Sequence, residues 1–111
     1  MPVDQQILRT LGANATPGFL ASLTQTFLKH TEFLLEEMRV ALVQNNFETL
    51  QRAAHSLKSS SAAIGAMPLA HLCKNLEQDC LRQNYATLTQ AVQALSTEFA
   101  KVTEYLHEHI D

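Results

Sequence analysis

His55 opens the stretch His55-Ser56-Leu57-Lys58-Ser59-Ser60-Ser61-Ala62. It lies one residue past Ala54, a core position of a helical pattern. That step rotates it about 100° from the inward line, onto the helix flank and partly into solvent. Lys58 and Ser59, three and four residues on, share its face, and Ala62 continues it. Gln51 and Arg52 lie one turn before. Small side chains leave room for a partner to come close. Lys58 and Arg52 place positive charge where an anion could sit. A neutral imidazole is nucleophilic near neutral pH, because its ordinary pKa is about 6.5. A nearby cation would hold that pKa down and help to neutralise a phosphoryl group. The pattern therefore suits a phosphate carried on histidine. A lone surface histidine beside a lysine is more often a plain solvated face, and geometry alone leaves both readings open.

The elements that would position these residues are helices. A short helix is expected over about 4–12, with Ile7, Leu8 and Leu11 apolar and Gly12 as its stop. Thr16-Pro17 predicts a cap followed by Pro at the first helical position. From there Leu20, Leu23, Phe27, Leu34, Met38 and Ala41 or Leu42 recur at three and four to about residue 44. Phe19, Leu28 and Leu35 widen this stripe. Asn46 can cap a third helix running from Phe47 to about Ile64, ended by Gly65. Pro68 opens a fourth, with Leu69, Leu72, Leu76 and Cys80 on one face, and Asn84 marks the next break. A last helix spans about 85–109 on Leu88, Val92, Leu95, Phe99, Val102 and Leu106. No stretch reads as a strand. Long amphipathic helices on short loops predict an all-α antiparallel up-down four-helix bundle, with the extra short helix at the N-terminus. Residues 1–111 form one domain in this reading.

The stretch from His55 to Ala66 resembles the histidine-containing phosphotransfer (HPt) domain of multistep phosphorelays. That family shows a pattern close to HxLKGxxxxxGA, and His55, Leu57, Lys58, Gly65 and Ala66 stand at matching offsets. The resemblance also covers the helical layout of nearly the whole chain. It implies that His55 is the phosphorylated residue, with Nε2 attacking, and that Lys58 lies beside the phosphoryl group. Leu57 would be core, and Gly65-Ala66 would turn the chain into the next helix. Ser59 departs from the family, which usually has Gly there; serine is small enough for docking. Glu77, 22 residues after His55, matches a family Gln or Glu that often hydrogen-bonds the other imidazole nitrogen and so fixes the tautomer. The implied docking surface comprises Gln51, Arg52, Ser59 and Ala62 around His55, with residues of the second helix alongside. The implied partners are response-regulator receiver domains or a hybrid sensor histidine kinase. The receiver is expected to supply an aspartate and Mg²⁺, so no cofactor or metal of this chain's own is implied. The chain would act as a phosphotransfer intermediate and not as an enzyme in its own right.

The other reactive side chains read as structural. His107 and His109 lie two apart, about 200° around a helix, so they cannot share a metal. Each suits a helix C-terminus through its dipole. His30 is expected to be a partly buried packing residue and His71 to be exposed. Cys73 and Cys80 are seven apart, about 10 Å along one helix, too far for a disulfide. They read as buried free thiols, and the cytoplasm is the expected compartment. Ser59, Ser60 and Ser61 have no acidic residue close enough in sequence to complete a triad.

Composition supports these expectations. The chain of 111 residues is 46% hydrophobic but only 6% aromatic, so its core is aliphatic. With Gly 3 and Pro 3 it has no glycine-rich phosphate cradle, which excludes an autonomous ATP-using kinase. A net charge of −3 without a basic stripe argues against nucleic acid. No apolar run approaches the roughly 18 residues of a membrane span, and no signal peptide is visible. Met1-Pro2 leans towards a standalone protein. The alternative function is a helical interaction module without phosphate chemistry, which would need neither His55 nor Lys58. The dimerising phosphoacceptor hairpin of a histidine kinase fits less well, because four long helices can close a bundle within one chain, and a monomer is expected.

Overall fold

A computed structural model describes residues 1–110. The described residues form α1 (Gln5–Gly12), α2 (Phe19–Val43), α3 (Phe47–Ile64), α4 (Met67–Leu81) and α5 (Leu88–His109), with no strand. Helices α2 to α5 run up and down. Each packs on its sequence neighbour, and α5 returns to α2, so the bundle closes on itself. The backbones of the diagonal pairs stay apart, and α1 lies across α2 and α3. The result is a rod of 44 × 20 × 19 Å.

The core follows the heptad-like spacing. Met38, Leu50, Leu57, Leu69, Leu76, Leu88, Leu95 and Leu106 are fully buried. One edge-to-face pair, Phe27 with Phe99 at 6.4 Å, supplies its main aromatic contact. Helices α3 and α4 are the most intimate pair. Small inward residues allow this: Ala53, Ala54 and Ser61 on α3, Ala70 and Cys73 on α4. That closeness is what lets a side chain on one of these helices reach across to the other.

Three tight turns set the helix order. After α2, α3 and α4 the chain passes through a left-handed residue: Asn45 at φ 54°, Gly65 at φ 88° and Gln83 at φ 59°. Each turn closes with the same pair of backbone bonds. After α3, Gly65 N donates to Ala62 O and Ala66 N to Ser61 O, the Schellman pattern. Asn46 caps α3 as expected, its side chain accepting from Thr49 N at 3.2 Å.

Two helix starts differ from the sequence expectation. Thr16-Pro17 does not cap α2; Gly18 does, at φ 84°, and the helix begins at Phe19. Thr16 O accepts from Phe19 N in a turn through Pro17-Gly18, so the left-handed glycine ends the turn before the helix can form. Helix α5 begins at Leu88 and not near 85. Tyr85 stacks flat on Phe47 at 3.9 Å, and Leu88 N bonds back to Tyr85 O, which holds residues 85–87 in a turn. Asn84 lies in the break before it as expected, and the left-handed residue of that break is Gln83.

The N-terminus is pinned to the same α3–α4 turn that carries Gly65. Val3 is fully buried, and Asp4 N donates to Gly65 O at 2.8 Å. The Asp4 carboxylate caps α1 through Gln6 N and Ile7 N. A Cβ on Gly65 would stand 3.1 Å from both Asp4 O and Ile7 Cβ. Gly65→Ala is therefore expected to destabilise the fold by about 1–3 kcal/mol, through backbone strain and a forced shift of α1. Urea unfolding of the two proteins measures it, and equal midpoints would contradict this account of the turn.

Candidate functional site

Helices α3 and α4 place three groups together. Ala54 and Leu57 are anchored in the core, so His55 emerges on the flank with 59% of its side chain exposed. Lys58 is one turn on, 33% exposed. Across the pair, Glu77 follows the fully buried Leu76 and has only 12% of its side chain exposed. Its two carboxylate oxygens are divided between two donors. Oε2 lies 2.7 Å from His55 Nδ1, and Oε1 accepts from Lys58 Nζ at 2.6 Å.

This arrangement sets the protonation. Burial pushes the Glu77 carboxyl up, but the hydrogen bonds from Lys58 and His55 and their charges outweigh it and hold the group below its ordinary 4.5. Glu77 is thus a carboxylate at neutral pH, and a carboxylate only accepts. The proton between Glu77 and His55 therefore belongs to Nδ1. In a neutral ring Nε2 then keeps its lone pair, and no side chain among the described residues bonds it. Behind the pair sits Cys73. Burial, set against a lowering by nearby Lys58, pushes its thiol up to about 12, so it is neutral and unreactive.

Of the other residues expected around His55, Arg52 and Ser59 are exposed, and Gln51 and Ala62 half-buried. Ser59 Oγ donates to His55 O at 3.4 Å. Both cations on this face have carboxylate partners: Lys58 is held by Glu77, and Arg52 lies 3.6 Å from Glu48. The Arg52 pair is fully at the surface and adds little. His30 was expected to be partly buried and is exposed. With Leu11, Phe19, Leu23, Phe27 and Ala63 it lines an apolar cavity of about 350 Å³ between α2 and α3. Phe19 and Leu23 carried the signal for this groove, since they continue the α2 stripe beyond what the core can cover. His71 is exposed, and Cys73 and Cys80 are buried free thiols. His109 Nδ1 meets Tyr105 O at 2.8 Å, and its ring stacks on Tyr105.

The family model described as "Hpt domain" matches residues 22–109. The chain belongs to the Hpt domain family. Its fold superposes on the crystal structure of histidine-containing phosphotransfer protein B from Pseudomonas aeruginosa PAO1 with a TM-score of 0.92. The two are 27% identical, and the match covers 97% of this chain and 93% of that one. A maize histidine-containing phosphotransfer protein matches with a TM-score of 0.87 at 26% identity, over 98% of this chain and 89% of its own. In sequence, histidine-containing phosphotransfer protein 2 of Oryza sativa subsp. japonica is 26% identical over 97 residues, 86% of this chain. The chain spans 65% of the rice protein's length. A segment of the sensor protein TorS of Escherichia coli (strain K12) is 37% identical over 71 residues, 62% of this chain and 8% of TorS. The expected bundle with a short N-terminal helix is therefore the fold of this Hpt domain.

Glu77 also links the Hpt bundle's stability to pH. Its carboxyl is held down in the folded state, so its contribution is fully present above its unfolded value near 4.5. That contribution is lost as pH falls through the lower folded value. Unfolding free energy is expected to fall more steeply below about pH 4.5 in the wild type than in Glu77→Gln. Denaturant titrations at pH 3, 4, 5 and 7 check this, and parallel curves would contradict it.

Proposed function

We propose that this Hpt domain is a histidine phosphocarrier, shuttling a phosphoryl group between receiver-domain aspartates and His55 in a two-component phosphorelay. The observation that carries the reading is the 2.7 Å contact between Nδ1 of an exposed histidine and a buried carboxylate. It leaves Nε2 as the available nucleophile. In the forward step the Nε2 lone pair forms a bond to phosphorus of the aspartyl phosphate. The P–O bond breaks, and its electron pair stays on the aspartate oxygen. The reverse step returns the group to the same or another receiver. Mg²⁺ is expected on the receiver, beside its carboxylates.

Lys58, released from Glu77 Oε1 or shared with it, is assigned to meet a phosphoryl oxygen. Gln51, Arg52, Ser59 and Ala62 extend along α3 on either side of His55 and are assigned to receiver docking. The domain contributes a positioned nucleophile and a docking face, and the remaining chemistry comes from the partner, so it is a transfer intermediate and not an autonomous enzyme. Response-regulator receivers and a hybrid sensor kinase are the proposed partners; the similarity to a segment of the sensor protein TorS supports the latter. A bundle that closes on itself supports a monomer. Free Cys73 and Cys80 support a cytoplasmic setting, and no helix of the described residues is long and apolar enough to cross a membrane.

The test is transfer from a radiolabelled phospho-receiver with Mg²⁺, over several receivers. Wild type is expected to acquire acid-labile, base-stable label, and His55→Gln none while keeping its helix content and melting temperature. Label on both proteins would move the site to another histidine. No label from any receiver, and none from acetyl phosphate, would favour an interaction module. Lys58→Ala is expected to slow transfer by roughly a hundredfold, the lower end of what losing one preorganised donor costs. Equal rates in rapid-quench assays would remove its assigned role.

A further inference from the structure

The group facing His55 Nδ1 is a charged carboxylate, not an amide, and this bears on the phosphorylated state. When Nε2 bonds to phosphorus, the ring keeps its Nδ1 proton and becomes an imidazolium. To become neutral it would have to release that proton. Two lone pairs, on Nδ1 and on Glu77 Oε2, would then face each other across 2.7 Å. That geometry disfavours the neutral ring. We propose that Glu77 holds phospho-His55 as the imidazolium well above neutral pH, and so keeps its P–N bond labile. This inference rests on the phosphocarrier reading and states how the same site is regulated.

The chemistry follows from the leaving group. From the imidazolium, the electron pair of the breaking P–Nε2 bond returns to Nε2, and histidine departs as a neutral imidazole protonated on Nδ1. From the neutral phosphorylated ring it would have to depart as an imidazolate, a far poorer leaving group. The phosphoryl group passes to a receiver carboxylate, or to water in the slower loss. Glu77 thus favours discharge as well as loading: it aligns the nucleophile before the reaction and retains the proton that makes that nucleophile a good leaving group after it.

The groups around the ring agree with this assignment. Glu77 from α4 faces Nδ1 directly. Lys58, on the same helix as His55, binds the other carboxylate oxygen and tempers the negative charge without competing for Nδ1. Cys73 of α4, behind them, is a neutral thiol. Arg52 is directed to Glu48. Helices α1 and α2 supply no hydrogen bond or ion pair to the ring among the described residues. An opposite charge at hydrogen-bond distance raises a ring's pKa by about 1–3 units.

Glu77→Gln separates charge from orientation. The amide oxygen can still accept from Nδ1–H and so keep the tautomer; its NH2 then faces Lys58 Nζ, so the Lys58 hydrogen bond is lost together with the charge. The full chain, labelled with ¹⁵N-histidine, is phosphorylated with phosphoramidate. Its Nε2 attacks phosphorus, the donor's P–N bond breaks, and ammonia leaves. The Nδ1 titration is then followed by NMR, alongside the rate of phosphate loss. In the wild type the Nδ1 midpoint is expected at least about one unit above that of the same phosphoprotein unfolded in urea. Glu77→Gln is expected to bring the midpoint down towards the unfolded value. Above both midpoints, phosphate loss should slow about tenfold for each unit of that shift. Equal midpoints for folded and unfolded wild type would overturn the inference while leaving the carrier function standing, and this arm holds even if the variant fails to fold. Failure to phosphorylate His55 at all would overturn the carrier reading and this inference with it.

Discussion

A single carboxylate with two oxygens and two donors organises the α3–α4 face of this protein. Glu77 is almost wholly buried at the α3–α4 seam, where an unpaired charge would be expensive. It stays ionised because Lys58 and His55 each occupy one of its oxygens. Neither donor is itself buried: His55 is more than half exposed, so the carboxylate anchors the inner edge of a ring whose outer edge is open. The open nitrogen, Nε2, is set indirectly, by fixing the proton on the other one.

The rest of the fold serves that seam. Glu77 can reach α3 only because the two helices pack closely, and their buried faces carry the small residues Ala53, Ala54, Ser61, Ala70 and Cys73. The register between the helices is fixed at one end by the Gly65 turn, which the N-terminal segment clasps through Asp4. A slip of one residue in α4 would rotate Glu77 by about 100° and break the contact. Core packing, turn geometry and ring chemistry are therefore one constraint seen at three scales.

Much of this was legible in the residues, and for identifiable reasons. The inward stripe of α5 is buried as its spacing requires, and the caps at Asn46 and Gly65 obey local rules that need no tertiary knowledge. The flank position of His55 followed from its place after Ala54. The start of α2 is not legible in the sequence, because Pro17 suits a first helical position and only the left-handed Gly18 puts the turn first. Residues 85–87 are not legible either, because what holds them is the stacking of Tyr85 on Phe47, a contact distant in sequence. Lys58 was expected beside an incoming anion, and nothing local to α3 could show that Glu77 holds its ammonium group. The exposure of His30 escaped notice because the α2 stripe is wider than the core it covers, so its flank borders an open groove.

The chemistry of the site turns on where one proton sits. Long-range ¹H–¹⁵N correlation of the unphosphorylated protein reads it directly at alkaline pH, where the ring is neutral, with His55 assigned by comparison with His55→Gln. The remaining proton is expected on Nδ1, with Nε2 unprotonated. A His55 ring protonated on Nε2, with Nδ1 bare against Glu77, would contradict it.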